Sequence, residues 1–241
     1  MGHILVTGSS RGIGRAALNL LSARGAAVIG HASRLQPVSP GAPPILAADF
    51  ADPLSVADLW EQALELAGGQ IDAVVNNAGR FEANRLDRSD IEWLDAWDDA
   101  LRVNLTAAAE LSRYAVLHWQ ARGVGGRLVH VASRAAYRGD SPAHWHYAAA
   151  KGGMIAMHKT IARAYAAQGI LSFAVTPGFT DTSMADDYLA SRGGPDLLRD
   201  IPLGRVATPD EIAAIIAFCA LDAPASMTGA VIDANGASFV R

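Results

Sequence analysis

The stretch "HILVTGSSRGIG", His3 to Gly14, runs from a short β-type segment into a turn with glycines at positions 8, 12 and 14, and then opens a segment of helical spacing, Ile13 to Arg24. A β-run that ends in a glycine-rich turn and continues as a helix is the first half of a βαβ unit. Glycine permits a tight turn and close backbone approach, and the helix N-terminus presents free N–H groups and a partial positive charge. A pyrophosphate suits such a turn, which makes Gly8, Ser9, Ser10, Arg11, Gly12, Ile13 and Gly14 candidate contacts of a dinucleotide. The G-x-x-x-G-x-G spacing differs from the G-x-G-x-x-G fingerprint, and an ordinary βα turn would read alike in isolation. Its place in the first βα unit favours the ligand.

Working outward, the same rhythm fills the chain. Further β-type runs lie at Ala26 to Gly30, Pro44 to Ala48, Ile71 to Asn76, Arg127 to Ala132, Ile170 to Thr176 and Ala230 to Asp233. Between them come helical patterns at Leu54 to Ala67, Ile91 to Ala121, His144 to Gln168 and Pro209 to Leu221. Most of the strands read as continuous apolar runs, as expected where both faces are covered. The pattern predicts an α/β fold: a Rossmann-type doubly wound parallel sheet of about seven strands with helices on both faces. A length of 241 residues suits one domain, 1–241, and no linker divides it. "PVSPGAPP" at 37–44 reads as a surface loop. "GFTDTSMADDYLASRGGPDLLRD", after Pro177, interrupts the rhythm as a covering loop would. Ligands of such sheets sit beyond the carboxyl ends of the strands.

Composition narrows the class. Hydrophobic residues make up 51% and charged residues 18%, too apolar for a disordered chain, and no apolar stretch approaches the ~20 residues that span a bilayer. The net charge of -4 and the scattered arginines argue against nucleic acid or an anionic membrane as partner. The single cysteine, Cys219, lies in an apolar run and reads as a buried structural thiol. The N-terminus reaches Gly8 without room for a signal-peptide core, so a cytoplasmic location is expected. No metal site is expected.

The second strand ends "VIGHASR", with no carboxylate from Val28 to Arg34. An acidic side chain there would bind a ribose 2′-OH and repel a 2′-phosphate. Ser33, Arg34 and Arg11 instead offer a hydroxyl and two guanidiniums, which favours NADP, with NAD left open. Arg34 could equally solvate a loop tip. Asp49, followed by Phe50 after the third strand, is placed to bind an adenine amino group, or else to begin the next helix together with Asp52 and Pro53.

Tyr147 and Lys151 stand four apart in a helical segment, on one face and about 5–6 Å apart at Cβ. An ammonium there is expected to stabilise a tyrosinate and lower the phenol from about 10 toward the range of an acid/base catalyst. Ser133 ends a strand 14 residues earlier, where its hydroxyl could hold a substrate oxygen. "NNAG", Asn76 to Gly79, lets backbone pass close to a flat ligand, and Asn104 is a polar residue inside a helix, where packing or hydrogen bonding usually explains it.

Together TGSSRGIG at 7–14, Asp49, NNAG, Asn104, Ser133, Tyr147 with Lys151, and "PGFTDT" at 177–182 resemble the short-chain dehydrogenase/reductase family from the first strand to the last. Within it the chain is similar to the NADPH-dependent 3-oxoacyl-(acyl-carrier-protein) reductases in "RGIGR", "YAAAK", "GRVATPDEIA" and "ANGA". The resemblance implies a catalytic set of four. Tyr147 would exchange a proton with the carbonyl oxygen, Ser133 orient that oxygen, Lys151 bind the nicotinamide ribose, and Asn104 hold a relay water. It also implies that Asn77, Ala78 and Gly79 edge the adenosine side and central ribose, and that Pro177, Gly178, Thr180 and Thr182 edge the nicotinamide. The implied reaction interconverts a ketone and a secondary alcohol, with a 3-oxoacyl thioester as one substrate. Implied too is a homo-oligomer, a tetramer or dimer, joined through the two long helices.

Two departures bear on substrate. The step from Ser133 to Tyr147 is one residue longer than in the acyl-carrier reductases, and it contains Arg134, Tyr137, Asp140, His144, Trp145 and His146. These could bind the hydroxyls or acid group of a sugar or polyol, or the loop could pack at a surface or subunit contact. The segment 79–97 is also longer. A rival of another class is an NADP-binding regulatory protein without turnover.

Overall fold

Alternation of short apolar runs with amphipathic segments can bury both only by layering helices on either side of one sheet. The computed structural model describes residues 2–37, 40–181 and 198–241, and it has that architecture. Seven strands, β1 (His3–Val6), β2 (Ala27–Ala32), β3 (Ile45–Ala47), β4 (Ala73–Asn76), β5 (Gly126–Val131), β6 (Ile170–Pro177) and β7 (Val231–Ala234), form one sheet. Their order is β3-β2-β1-β4-β5-β6-β7, and every pairing is parallel. All seven expected runs are strands. The order reverses between β1 and β4, so a crevice opens beyond the ends of those two strands.

Among the described residues the α-helices are α1 (Gly12–Ala23), α2 (Ser55–Leu66), α3 (Asp90–Leu101), α4 (Ala107–Arg122), α5 (Ala135–Arg138), α6 (Trp145–Tyr165) and α7 (Pro209–Ala217). Strand residues alternate between two cores. Val6, Val75, Val129, Phe173 and Val175 face α1 and α7, through Leu18, Leu21, Ile212 and Ile216. Leu5, Val74, Leu128 and Ile170 face Leu59 and Trp60 of α2 and Leu111 and Trp119 of α4. Both faces being covered is why the strands lack polar alternation. Capping boxes start two helices, Ser89 with Glu92 before α3 and Thr208 with Glu211 before α7, where Pro209 takes an early position.

Two expectations are corrected. The helix expected over Ile91 to Ala121 is two helices joined by a π-turn, Arg102–Thr106, with Asn104 at its centre. The loop after Ser133 contains the one-turn helix α5. Cys219 is fully buried, and burial pushes its thiol up to about 11, an unreactive core residue. Among the described residues no helix is long and apolar enough to cross a membrane.

Candidate active site

The glycine turn is shaped by its own sterics. Gly8 and Gly12 have φ of +64° and +55°, and a Cβ on Gly14 would stand 2.2 Å from the Gly8 carbonyl. The first helix therefore starts tight against the turn, with no room for a side chain between them. Arg11 is exposed, in an extended conformation at the helix start. Ser10 is half-buried, and Ile13 packs on the core. Ser9 is fully buried: its hydroxyl donates to the His31 carbonyl at 3.2 Å and accepts from the His31 N–H at 3.0 Å. It fastens the turn to β2.

His31 completes this fastening, and nothing in the sequence singled it out. Its Nδ1 accepts from the Gly8 N–H at 3.2 Å, its Nε2 pairs with the Ala48 carbonyl at 2.8 Å, and its ring stacks on Phe50 at 4.2 Å. A carbonyl partner at one nitrogen and an N–H at the other fix the neutral Nε2–H tautomer. Burial holds its pKa down at about 4. Phe50 is thus a packing residue whose ring is covered by His31, while Asp49 stands exposed beside it, 3.3 Å from Arg80. Ser33 and Arg34 are exposed beyond β2.

The crevice's other wall follows β4. Thr7 Oγ1 accepts from the N–H groups of Asn77 at 2.9 Å and Ala78 at 3.0 Å, and Asn77 Nδ2 donates to the carbonyls of Thr7 and Gly8 at 2.9 and 3.1 Å. The "NNAG" segment and the glycine turn are one stitched unit. Gly79 then passes through a narrow gap, since a Cβ there would lie 2.7 Å from Asn104 Oδ1 and 3.7 Å from Lys151 Nζ. Asn104 Oδ1 accepts from the Arg80 N–H at 3.0 Å, while its Nδ2 donates to the carbonyls of Arg80 at 3.1 Å and Ala100 at 3.0 Å. Bonding to Ala100 within the helix and to a distant backbone accounts for a π-turn at this position.

Ser133, Tyr147 and Lys151 gather at the ends of β5 and β6. Ser133 Oγ accepts from the Ala135 N–H at 3.1 Å. Lys151 lies one turn beyond Tyr147 on α6, 3% exposed, with its Nζ donating to the Val131 carbonyl at 2.8 Å and 5.8 Å from the centre of the Tyr147 ring. Burial lowers the lysine to about 8. Burial also pushes Tyr147 up to about 12, opposed by a hydrogen bond with Ser133 and reinforced by the negative charge of Asp140. The expected lowering of the phenol by Lys151 is therefore corrected: Tyr147 is raised, because loss of hydration dominates. Pro177 closes β6, its carbonyl accepting from the Arg134 N–H at 3.0 Å, and Gly178 and the buried Thr180 follow, with Thr180 Oγ1 donating to the Gly178 carbonyl at 3.3 Å. Thr182 lies outside the described residues.

The two longer segments pack on each other. Phe81 stacks on His144 at 4.0 Å and turns its edge to Tyr147 at 4.8 Å. Asn84 N donates to the Ala143 carbonyl at 2.8 Å, and His146 Nε2 pairs with the Glu82 carbonyl at 3.0 Å. His144 Nδ1 meets the Ser141 hydroxyl at 2.6 Å. His144 and His146 are buried pillars of this contact, whereas Trp145 points outward, half exposed.

Residues 8–236 match the family described as "Enoyl-(Acyl carrier protein) reductase". The chain is 36% identical to the 3-oxoacyl-(acyl-carrier-protein) reductase of Escherichia coli over 98% of its own length and 96% of the relative's. It is 34% identical to an uncharacterized short-chain type dehydrogenase/reductase of Sinorhizobium fredii, covering 97% and 94%. A crystal structure from Agrobacterium tumefaciens, provisionally described as a 2-deoxy-d-gluconate 3-dehydrogenase with bound NADP, superposes with a TM-score of 0.83 at 29% identity, covering 98% and 95%. A glycine-cradled crevice at the β1/β4 reversal, a Ser, Tyr and Lys set at the strand ends and this full-length likeness agree: the chain belongs to the short-chain dehydrogenase/reductase family of NAD(P)-dependent oxidoreductases.

Proposed function

We propose that the protein interconverts a ketone and a secondary alcohol with NADP(H), using Tyr147 as general acid/base. The observation that carries this reading is the arrangement of Ser133, Tyr147 and Lys151 around the ends of β5 and β6, with Gly79 threaded between Asn104 and Lys151. When bound, the reduced nicotinamide supplies the hydride that reaches the carbonyl carbon. Tyr147 gives its phenolic proton to the carbonyl oxygen, and in reverse takes it back. Ser133 orients that oxygen. A phenol held near 12 is protonated at neutral pH and ready to act as the acid, and the positive charge of Lys151 one turn away favours the tyrosinate left behind. In this reading Asn104 holds backbone at Arg80 in place and borders a relay water.

NADP is supported by the exposed Arg11, Ser33 and Arg34 around a β2 end without a carboxylate, and by the NADP in the Agrobacterium structure. Gly8, Gly12 and Gly14 hold the turn tight at the start of α1, where the pyrophosphate would lie, while Asn77, Ala78, Gly79, Pro177, Gly178 and Thr180 would border the rest of the cofactor. The substrate we favour is a 3-oxoacyl thioester, as named for the Escherichia coli relative. A polar hydroxylated ketone is the second reading, favoured by the charge of Asp140 acting on Tyr147 and by Arg134 next to Ser133. Exposed Ile91, Leu94 and Leu117 on α3 and α4 support a homo-oligomer.

The test is NADPH oxidation with a panel of 3-oxoacyl thioesters, sugars and simple ketones, for the wild type and Tyr147→Phe. Turnover with at least one carbonyl, lost in Tyr147→Phe while NADPH still binds, is expected. Full activity in the variant would overturn the mechanism, and no turnover with any substrate would favour a regulatory NADP-binding protein.

A further inference from the structure

The short helix α5 follows Ser133 directly, and one turn of helix does not hold itself together. Ser133 nonetheless depends on it, because the Ala135 N–H fixes the Ser133 hydroxyl at 3.1 Å and the Ala136 N–H binds the Ser133 carbonyl at 3.0 Å. Ala136 and Tyr137 of α5 pack inward against Met154 and Ile155 of α6, and the segment after β7 holds the helix from its other side. Tyr137 is stacked by Phe239, centroids 5.7 Å apart and 7° from parallel, and the Arg241 guanidinium lies 5.2 Å from the centre of the Tyr137 ring. Arg138 Nη1 donates to the Ser238 carbonyl at 3.2 Å.

That segment is itself held in a costly shape. Ala237 has φ of +62°, the only non-glycine residue with positive φ among the described residues. A left-handed alanine persists only where its surroundings fix it. Asn235, 6% exposed, does so: its Nδ2 donates to the Phe239 carbonyl at 3.1 Å and its Oδ1 accepts from the Phe239 N–H at 3.2 Å. Asn235 also abuts Gly178, whose added Cβ would come within 2.9 Å of it, and the Gly178 N–H donates to the Ala234 carbonyl at 3.0 Å. Arg241 Nε returns to Asp233 of β7 at 2.9 Å. The turn is thus anchored at one end beside the close of β6 and clasps α5 at the other.

We infer that Phe239 and Arg241 are positioning residues of the active site, which hold Tyr137 and through α5 set the Ser133 hydroxyl toward Tyr147 and the substrate oxygen. The inference rests on the proposed roles of Ser133 and Tyr147. Loosening the clasp lets the Ser133 hydroxyl turn away, which removes both substrate orientation and the bond that opposes the high pKa of Tyr147, while the cofactor cradle at β1, β2 and β4 is untouched.

The experiment compares Phe239→Ala, Phe239→Tyr and Arg241→Gln with wild type in kcat, NADPH Kd and the pH profile of alcohol oxidation, using the substrate found in the panel above. Asp140 and Lys151, the charged groups beside the phenol, are the same in all three. Phe239→Ala is expected to lower kcat on the order of tenfold, as for a displaced catalytic group. NADPH Kd should hold, the rising limb of the oxidation profile should move to higher pH, and Phe239→Tyr should restore both. If Phe239→Ala does not fold, Arg241→Gln, which leaves Phe239 on Tyr137 and removes one of the two charges over that ring, Lys159 keeping the other at 5.9 Å, serves in its place, with a smaller change in the same direction. A lowered thermal midpoint with unchanged kcat and pH profile would overturn the inference, as would loss of NADPH affinity in step with kcat. Tyr147→Phe is measured alongside: activity there sinks the functional reading, whereas an inactive Tyr147→Phe with unaffected clasp variants sinks this inference alone.

Discussion

The Nζ of Lys151 donates to the main-chain carbonyl of Val131 at 2.8 Å from a side chain 3% exposed. A buried ammonium with one carbonyl partner is a costly group, and burial lowers it from 10.5 to about 8. The folded protein gives up this proton near pH 8 and the unfolded chain only near 10.5. The destabilisation is therefore full below pH 8 and is relieved as pH rises toward 10.5, with a ceiling of about 3 kcal/mol. Lys151→Met should abolish turnover. It should also raise the stability of the cofactor-free protein at pH 7 by about 1 kcal/mol, the remainder offset by the orphaned Val131 carbonyl. Urea unfolding at pH 7 and 9.5 checks the sign, since the variant's advantage must shrink at the higher pH. Lys151→Arg should fail in both respects, because a forked guanidinium does not fit a site shaped for a compact ammonium.

In the proposed reading, cofactor choice turns on Arg34, exposed beyond β2, and on Arg11 at the start of α1. A 2′-phosphate between two guanidiniums gains charge-assisted bonds worth about 1.5–3 kcal/mol each. Arg34→Asp substitutes a carboxylate suited to a ribose 2′-OH. Its kcat/KM for NADPH should fall about a hundredfold while that for NADH rises or holds. Steady-state comparison of the two coenzymes decides it, and an unchanged preference would relegate Arg34 to a solvated loop residue.

How much of this was legible in the sequence depends on how far each feature's cause lies along the chain. β4 and β5 could be read because a strand covered on both faces must be apolar throughout, a local property. Tyr147 and Lys151 could be read because four residues are one helical turn. The π-turn at Asn104 could not, since its cause includes a bond to the Arg80 backbone 24 residues away. His144 and His146 read equally well as pocket or loop, and only Phe81 and Glu82, 63 and 64 residues earlier, show them to be props of the neighbouring segment. The Tyr147–Lys151 spacing points to a lowered phenol, whereas the burial that raises it is set by the surrounding fold and not by four residues of helix.

Phe81 lies between His144 and Tyr147, stacked on one at 4.0 Å and edge-on to the other at 4.8 Å. Each aromatic pair contributes about 0.5–1.5 kcal/mol beyond buried area. Phe81→Ala should therefore cost about 2–3 kcal/mol of stability in all and leave Tyr147 free to shift. Thermal unfolding should show the loss, and KM for the carbonyl substrate should rise severalfold with NADPH Kd unchanged. A KM that stays put would show that Phe81 serves packing only.

His31 joins three parts of the proposed cofactor cradle: the Gly8 N–H at its Nδ1, the Ala48 carbonyl at its Nε2 and the Phe50 ring beneath it. His31→Phe keeps an aromatic ring over Phe50 but orphans a buried donor and a buried acceptor, at a cost of about 2–4 kcal/mol. NADPH affinity should drop as well, since Gly8 loses the partner that fixes its part of the turn. The pH dependence has a defined sign. In the fold the imidazole stays neutral down to about pH 4, whereas in the unfolded chain it takes a proton near 6.5. The stability it provides is complete above 6.5 and drains away as pH falls toward 4, where a proton on Nδ1 would face the Gly8 N–H. The deficit of His31→Phe relative to wild type should therefore be largest near pH 7 and shrink steadily toward pH 4 in denaturant unfolding. A deficit independent of pH would mean that the ring contributes by its shape alone, and that the two hydrogen bonds do not hold the turn.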